Sequence, residues 1–342
     1  MMVSLPVEII TDILSRLPVK SLCRFRCVSK LSLSIISSSH FAKTHLSQTQ
    51  SHRLLLSSHS LFSVHHDPSF HDHVVSVDLD FPLKNQHNSD HSIQVLGSCN
   101  GLLCIMPQLE TFFIYNPSTK ESKWVPDFEC SIHPSLIDYD VYGFGYAQSV
   151  DDYKFVVISC GQVVIVYSLR SNSWKKVLDD DFPYEYPCCE PGTSLNGAVH
   201  WLLKRRGGGP CFIAAFNLVE DKFKDLPLPY EVVNFHHFSM GLLKGCLCVV
   251  HNDGRAHKEF WVMKEYGLKE SWTKVLIADP YYVLRPLCYW KNSKIMLAVD
   301  RKQLVLCNPK DGSCKDFVVD GISDKFDAHL YVESLISPNL LH

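Results

Sequence analysis

The sequence predicts a mainly β protein with a small α domain: three short helices at the N-terminus, followed by a β-propeller-like domain of six blades. Three observations carry that expectation. Over the first 45 residues, apolar side chains recur at helical spacing. From residue 96 onward, one strand–turn–strand pattern returns five times, every 44–52 residues. Charge also divides the chain. Residues 1–50 hold six basic side chains against two acids, a balance of +4, so a net charge of −3 leaves −7 for the remainder. The predicted organisation is a helical module at 1–46, a Ser/His-rich connection with the first β strands at 47–95, and a repeat domain at 96–338 that closes with those preceding strands.

The first helix carries Ile9, Ile10, Ile13, Leu14 and Leu17 on an apolar stripe. Ser4 is placed to cap its orphan amides, Pro6 is tolerated in the first turn, and Pro18 ends it. Val19 to Phe25 makes a second helix. Ser29 caps a third, which runs through Leu33, Ile35 and Ile36. A domain this small rarely supports itself without a disulfide, a metal or a partner. Burying each Leu or Ile is worth about 1.5–3 kcal/mol. The module is therefore expected to dock on the rest of the chain or on another protein.

Read from Leu5 to Lys30, L-P-x-E-I-I-x-D-I-L-x-R-L-P-V-K-S-L-x-R-F-R-C-V-S-K resembles the F-box of plant F-box proteins. The resemblance implies docking on a Skp-type adaptor, and through it on a cullin ligase core. The matching positions are Leu5, Pro6, Ile9, Ile10, Ile13, Leu14, Leu17, Pro18, Leu22, Phe25, Cys27, Val28 and Lys30. Some of these pack internally and some face the adaptor. Ser32 stands where the family often carries Trp. Ordinary amphipathic helices capping a larger domain are the alternative reading of the same stripe.

In the repeat, an extended apolar run, a turn and a polar segment with Trp or another bulky group follow one another. The runs are Phe112–Asn116, Val164–Ser168, Ile213–Asn217, Phe260–Met263 and Leu304–Asn308. A tight turn precedes each: Asn100-Gly101, Asp151-Asp152, Asn196-Gly197, Lys244-Gly245 and Asn292-Ser293. Asn-Gly supplies the positive φ that a hairpin turn demands. Both series keep step, as four-stranded propeller blades would. Residues 53–83 supply part of a sixth blade, and Leu330–Ile336 completes it and closes the ring. An open stack of sheets is the competing architecture.

This region also resembles the F-box-associated, kelch-like domain of the same plant family. The resemblance is carried by C-N-G-L-L-C-I (99–105), I-Y-N-P-S-T-K (114–120), Y-G-F-G-Y with D-D-Y-K-F-V (142–156), Y-S-L-R-S-N-S-W-K (167–175) and W-V-M-K-E-Y-G-L-K-E-S-W-T-K-V (261–275). It is similar to the defence-restraining and S-locus F-box groups.

Composition excludes other classes. With 46% hydrophobic and 20% charged residues the chain buries a real core. The negative net charge argues against nucleic acid as a partner, and no apolar run is long enough to span a membrane. The 14 cysteines include no C-x-x-C pair and no leader-plus-framework pattern, so most are expected to be small buried hydrophobes in the cytosol or nucleus.

Candidate chemistry is sparse. Ten of the 18 histidines fall between His40 and His91, including His65, His66, His71 and His73, without metal-ligand spacing. Lys204-Arg205-Arg206-Gly207-Gly208-Gly209 has its charges before its glycines, unlike a phosphate loop. Asp179-Asp180-Asp181 reads as a solvated loop. Cys188 and Cys189 have no neighbouring base. No metal, cofactor or catalytic set is expected. The resemblance implies a non-catalytic substrate-recognition subunit of a ubiquitin ligase that captures an unidentified target protein; loops 178–192, 204–210 and 252–258 are the candidate contacts, since recognition usually lives on loops. The alternatives are a non-degradative protein- or glycan-binding module, and a propeller enzyme such as a glycan hydrolase using Asp138, Asp140 and Asp300.

Overall fold

A computed structural model describes residues 5–48, 52–64, 73–86, 91–128, 140–159, 163–178, 184–185, 190–207, 209–231, 238–251, 258–277, 284–289, 294–322 and 325–339. Four helices open the chain: α1 (Val7–Ser15), α2 (Val19–Phe25), α3 (Lys30–Ile36) and α4 (Ser39–Gln48). The Ser29 hydroxyl accepts the Ser32 amide and caps α3, as its sequence indicates. Two details differ from expectation. Helix α1 stops at Ser15, and Pro18 instead stands at the N-cap of α2. A fourth helix joins the three expected. Its sequence is too polar to show a stripe, yet Phe41, Ala42 and His45 turn inward, and the His45 ring bonds the Leu17 carbonyl at 2.8 Å. Ser4 lies outside the described residues.

Six antiparallel blades follow. The first is built from β1 (His52–Ser57), β2 (Leu61–Val64) and β3 (His73–Asp78). The second holds β4 (Gln94–Cys99), β5 (Leu102–Gln108), β6 (Thr111–Asn116) and β7 (Glu121–Trp124). The third holds β8 (Val141–Ala147), β9 (Asp152–Ser159), β10 (Val163–Ser168) and β11 (Ser173–Leu178). In the fourth, a split inner strand, β12 (Tyr184–Glu185) and β13 (Thr193–Leu195), pairs with β14 (Ala198–Arg205), then β15 (Cys211–Asn217) and β16 (Lys222–Leu226) follow. The fifth has β17 (Phe238–Leu243), β18 (Cys246–His251), β19 (Lys258–Met263) and β20 (Trp272–Ile277). The sixth has β21 (Leu284–Tyr289), β22 (Ile295–Val299), β23 (Gln303–Cys307) and β24 (Cys314–Asp320).

The last strand, β25 (Asp327–Val332), returns to the first blade and pairs antiparallel with β1, from His52↔Val332 to Ser57↔Asp327. The two ends of the chain thus share one sheet, and the ring is closed rather than an open stack. Each inner strand contacts the next, in the order β25, β4, β8, β13, β17, β21 and back to β25. Outer strands β24 and β3 add a parallel seam at Val318↔His73 and Val319↔Val74.

Repeated local chemistry explains the period. In the second, fourth and sixth blades an Asn at the end of the third strand accepts the amides of the next turn. Asn116 takes Ser118 and Thr119, Asn217 takes Val219 and Glu220, and Asn308 takes Lys310. The fourth-strand Trp closes the gap to the preceding blade: Trp174 donates to the Pro126 carbonyl at 2.6 Å and Trp272 to that of Pro227 at 3.0 Å. Positive φ falls at Asn100, Gly101, Asp151, Asn196, Gly197, Lys244 and Gly245, so four of the five expected turns take the left-handed backbone. The fifth lies outside the described residues.

Among the described cysteines eight are free thiols, and burial raises those of Cys23, Cys99, Cys104, Cys211, Cys248 and Cys288. Cys307 and Cys314 are instead joined in a disulfide, because the β23–β24 register sets them directly opposite each other. Among the described residues no helix is long and apolar enough to cross a membrane.

Candidate functional site

In a four-stranded blade, the turns after the first and third strands lie on one face of the ring. Those after the second and fourth lie on the other. The helical module sits on the first of these faces. Arg26 pairs with Glu121 at 3.3 Å and the Cys23 thiol meets the Ser118 carbonyl, both at the β6–β7 turn. Lys43 binds Asp151 at the β8–β9 turn. Burial alone would raise the Asp151 carboxyl; hydrogen bonds from Lys43 and Tyr146 hold it below its ordinary value.

Apolar packing completes the junction. Leu14, Val19, Leu22, Ile36, Phe41 and Ala42 share one cluster with Ile114, Phe155, Tyr167, Leu335 and Ile336. Asn116 anchors the chain's last segment there, donating to Ser334 O at 3.1 Å and Ile336 O at 2.7 Å. The module therefore rests on its own β body.

That packing does not consume the module's apolar surface. Leu5, Val7, Ile9 (47% exposed), Ile13 (49%), Phe25, Val28 (68%), Leu31 and Leu33 all remain in water. They are eight of the 16 exposed large hydrophobics among the described residues, gathered within 29 positions. A helix apolar on both faces has a second surface to cover.

The thirteen positions named from sequence divide accordingly. Leu14 and Leu22 are buried and hold the helices to one another and to the body. Ile10 and Leu17 are half-buried against the same cluster. Leu5, Pro6, Ile9, Ile13, Pro18, Phe25, Cys27, Val28 and Lys30 face solvent. Val7, Leu31 and Leu33 join them on the surface without having been singled out; only their solvent exposure marks them.

The opposite face carries the mouth of the central channel, a cavity of about 350 Å³. The starts of inner strands β4, β8, β21 and β25 line it, with the turns after β5 and β22 and the approach to β13. Asp140 and Asp300, distant in sequence, meet there. So do Glu190, Arg285, Arg301, Asp327 and His329, which sequence reasoning missed. Arg301 pairs with Asp327, Arg285 donates to the Ala328 carbonyl, and Ser159 donates to Asp140 at 2.8 Å. Burial pushes the Glu190 carboxyl up, while Arg285 and Arg301 oppose that shift. Burial, then the charges of Arg285 and Arg301, hold His329 neutral. Its Nε2 is buried without a hydrogen-bond partner.

Of the three loops named from sequence, residues 178, 184–185, 190–192, 204–207, 209–210 and 258 are described: Glu190 and Pro191 line the cavity, and Arg205 pairs with Asp225 and lies over the Phe212 ring. Residues 179–183, 186–189 and 252–257 lie outside the described residues, and so do Asp138, Cys188, Cys189, His65, His66 and His71. Among the described residues no group of three or more His, Cys, Asp or Glu side chains is arranged to hold a metal ion.

Comparison with known proteins adds family relations. A family model described as the F-box domain matches residues 2–44, and one described as the F-box associated beta propeller domain matches residues 52–338. F-box protein CPR1 of Arabidopsis thaliana is 29% identical, over 98% of this chain and 89% of its own. An F-box/kelch-repeat protein of the same plant is 30% identical, over 98% and 96%. Among solved structures, a chain of a nidogen/laminin complex superposes with a TM-score of 0.51 at 8% identity, over 82% of this chain and 98% of that one. That last likeness is one of fold.

Proposed function

This chain belongs to the F-box proteins that carry an F-box-associated β-propeller, and on that premise we propose that it is the substrate-recognition subunit of a Skp–cullin–F-box ubiquitin ligase. The exposed side of the helical module docks on the Skp-type adaptor, which tethers the chain to the cullin core. The propeller captures a target protein for ubiquitination and degradation in the cytosol or nucleus. The chain itself is not a catalyst. The ubiquitin-loaded enzyme supplies the chemistry, and this subunit supplies proximity, which raises the effective concentration of target lysines.

The observation that carries this reading is the apolar set left on the outside of a module already seated on its own body. Covering such side chains is the main driving force of association. The geometry supports it further: the adaptor side and the channel mouth are on opposite faces, so one partner does not obstruct the other. The test is capture of a purified Skp-type adaptor by the full chain. A one-to-one complex that Val28→Asp abolishes, without loss of thermal stability, is the expected result. Target half-life with and without the chain then separates degradation from simple binding.

A further inference from the structure

We infer that the mouth of the central channel binds a basic side chain, arginine or lysine, of the captured target. The inference rests on the reading of the β body as the target-binding part, and it names what that part recognises.

Size comes first. At about 350 Å³ the cavity lies at the low end of the roughly 300–1,000 Å³ typical of ligand pockets, enough for one side chain and not for a strand or helix. Its walls include Leu96, Met106, Tyr142 and Phe326, apolar surface that suits the alkyl stem of such a side chain.

Charge decides the sign. Among the described lining residues, Asp140, Glu190, Asp300 and Asp327 stand with Arg285 and Arg301, a formal balance of −2. Both guanidiniums are already engaged, Arg301 with Asp327 and Arg285 with the Ala328 carbonyl. His329 contributes no charge, and its buried Nε2 makes no hydrogen bond. An incoming ammonium or guanidinium brings positive charge to a lining whose formal balance is negative. It also offsets the cost of keeping the Glu190 carboxylate away from water. An acidic side chain would instead add to a lining in which carboxylates outnumber arginines. The arginines of the 204–210 loop do not reverse this, because Arg205 is bound to Asp225 on the outer part of the fourth blade and does not line the cavity.

The experiment uses the full chain and ligand-observed NMR with four probes: the N-acetyl amides of arginine, lysine, glutamine and glutamate. The arginine and lysine probes are expected to bind in the millimolar range, and the other two are not. Glu190→Gln and Asp300→Asn should each weaken the arginine probe about fivefold. Asp300 is exposed, so its variant keeps the test valid should Glu190→Gln disturb folding. Binding of the glutamate probe as tight as that of arginine overturns the inference. Unchanged arginine binding in both variants does the same, and so does absent arginine binding by the wild-type chain. Adaptor capture is read in parallel. Its failure in the wild-type chain sinks the ligase reading, whereas its retention beside lost probe discrimination sinks only the basic-side-chain site.

Discussion

Converting Ile9 and Ile13 together to Asp should separate docking from folding. The two side chains lie one turn apart on α1, each about half exposed. Full burial of Ile is worth about 1.5–3 kcal/mol, so covering the exposed half of each contributes about 1 kcal/mol to adaptor binding. Losing both removes about 2 kcal/mol. Desolvating two unpaired carboxylates in an apolar interface costs at least as much again. The sum exceeds about 3 kcal/mol, or more than a hundredfold in Kd. Stability should hardly move, since substitutions at exposed sites fall within about 0.5 kcal/mol. Leu14→Ala is the counterpart. Leu14 is 5% exposed, so that change should cost about 2–5 kcal/mol of stability through the cavity it leaves. Calorimetric titration with a Skp-type adaptor, beside urea unfolding of each variant, reads both quantities. Adaptor affinity within threefold of wild type for the double Asp variant would refute the reasoning, because the exposed face would then not be the docking face.

Three further outcomes follow from the packing. Asn116→Ala strips the donor from the Ser334 and Ile336 carbonyls and the acceptor from two turn amides, at about 1–3 kcal/mol per buried unmet group; a urea midpoint equal to wild type would contradict that role. His200 is held by burial at a pKa of about 4, its Nδ1–H donating to the Thr193 carbonyl and its Nε2 accepting from Tyr266. Its folded pKa is below the ordinary 6.5, so its contribution is complete above pH 6.5 and is lost as pH falls toward 4, by up to about 3 kcal/mol. His200→Gln should flatten that part of the stability–pH curve, and a wild-type-like slope in the variant argues otherwise. Finally, Gly101→Ala should destabilise far more than Gly245→Ala. Both glycines have positive φ, but a Cβ on Gly101 would meet Ser334 Oγ at 2.2 Å, whereas Gly245 has open space; equal melting temperatures would count against it.

Much of the architecture was legible because it repeats locally. Runs such as Phe112–Asn116 are third strands, with Asn-based turns in the second, fourth and sixth blades and Trp contacts in the third and fifth. Helix α4 was not legible because its inward face of Phe41, Ala42, His45 and Leu46 is interrupted by a polar His within a mostly polar segment. The disulfide was hidden too: the seven-residue separation of Cys307 and Cys314 carries no signal until strand register sets them opposite. Of the channel mouth, only the acids Asp140 and Asp300 were singled out from sequence; Glu190, Arg285 and His329 come from segments far apart in the chain, each ordinary in its own neighbourhood.

By itself the sequence determined the local grammar: helical stripes at the front, strand alternation behind, and turn residues keeping a common period. Those depend on neighbours within a few residues, which a linear reading contains. Tertiary structure decided which faces survive. Closing the ring through β1 and β25 put the helices and the channel mouth on opposite sides. It buried Leu14 and Leu22 while leaving Ile9, Ile13 and Val28 in water. The physical reason is that burial belongs to a pair of surfaces, and the second surface is supplied by the propeller, far along the chain from the helices.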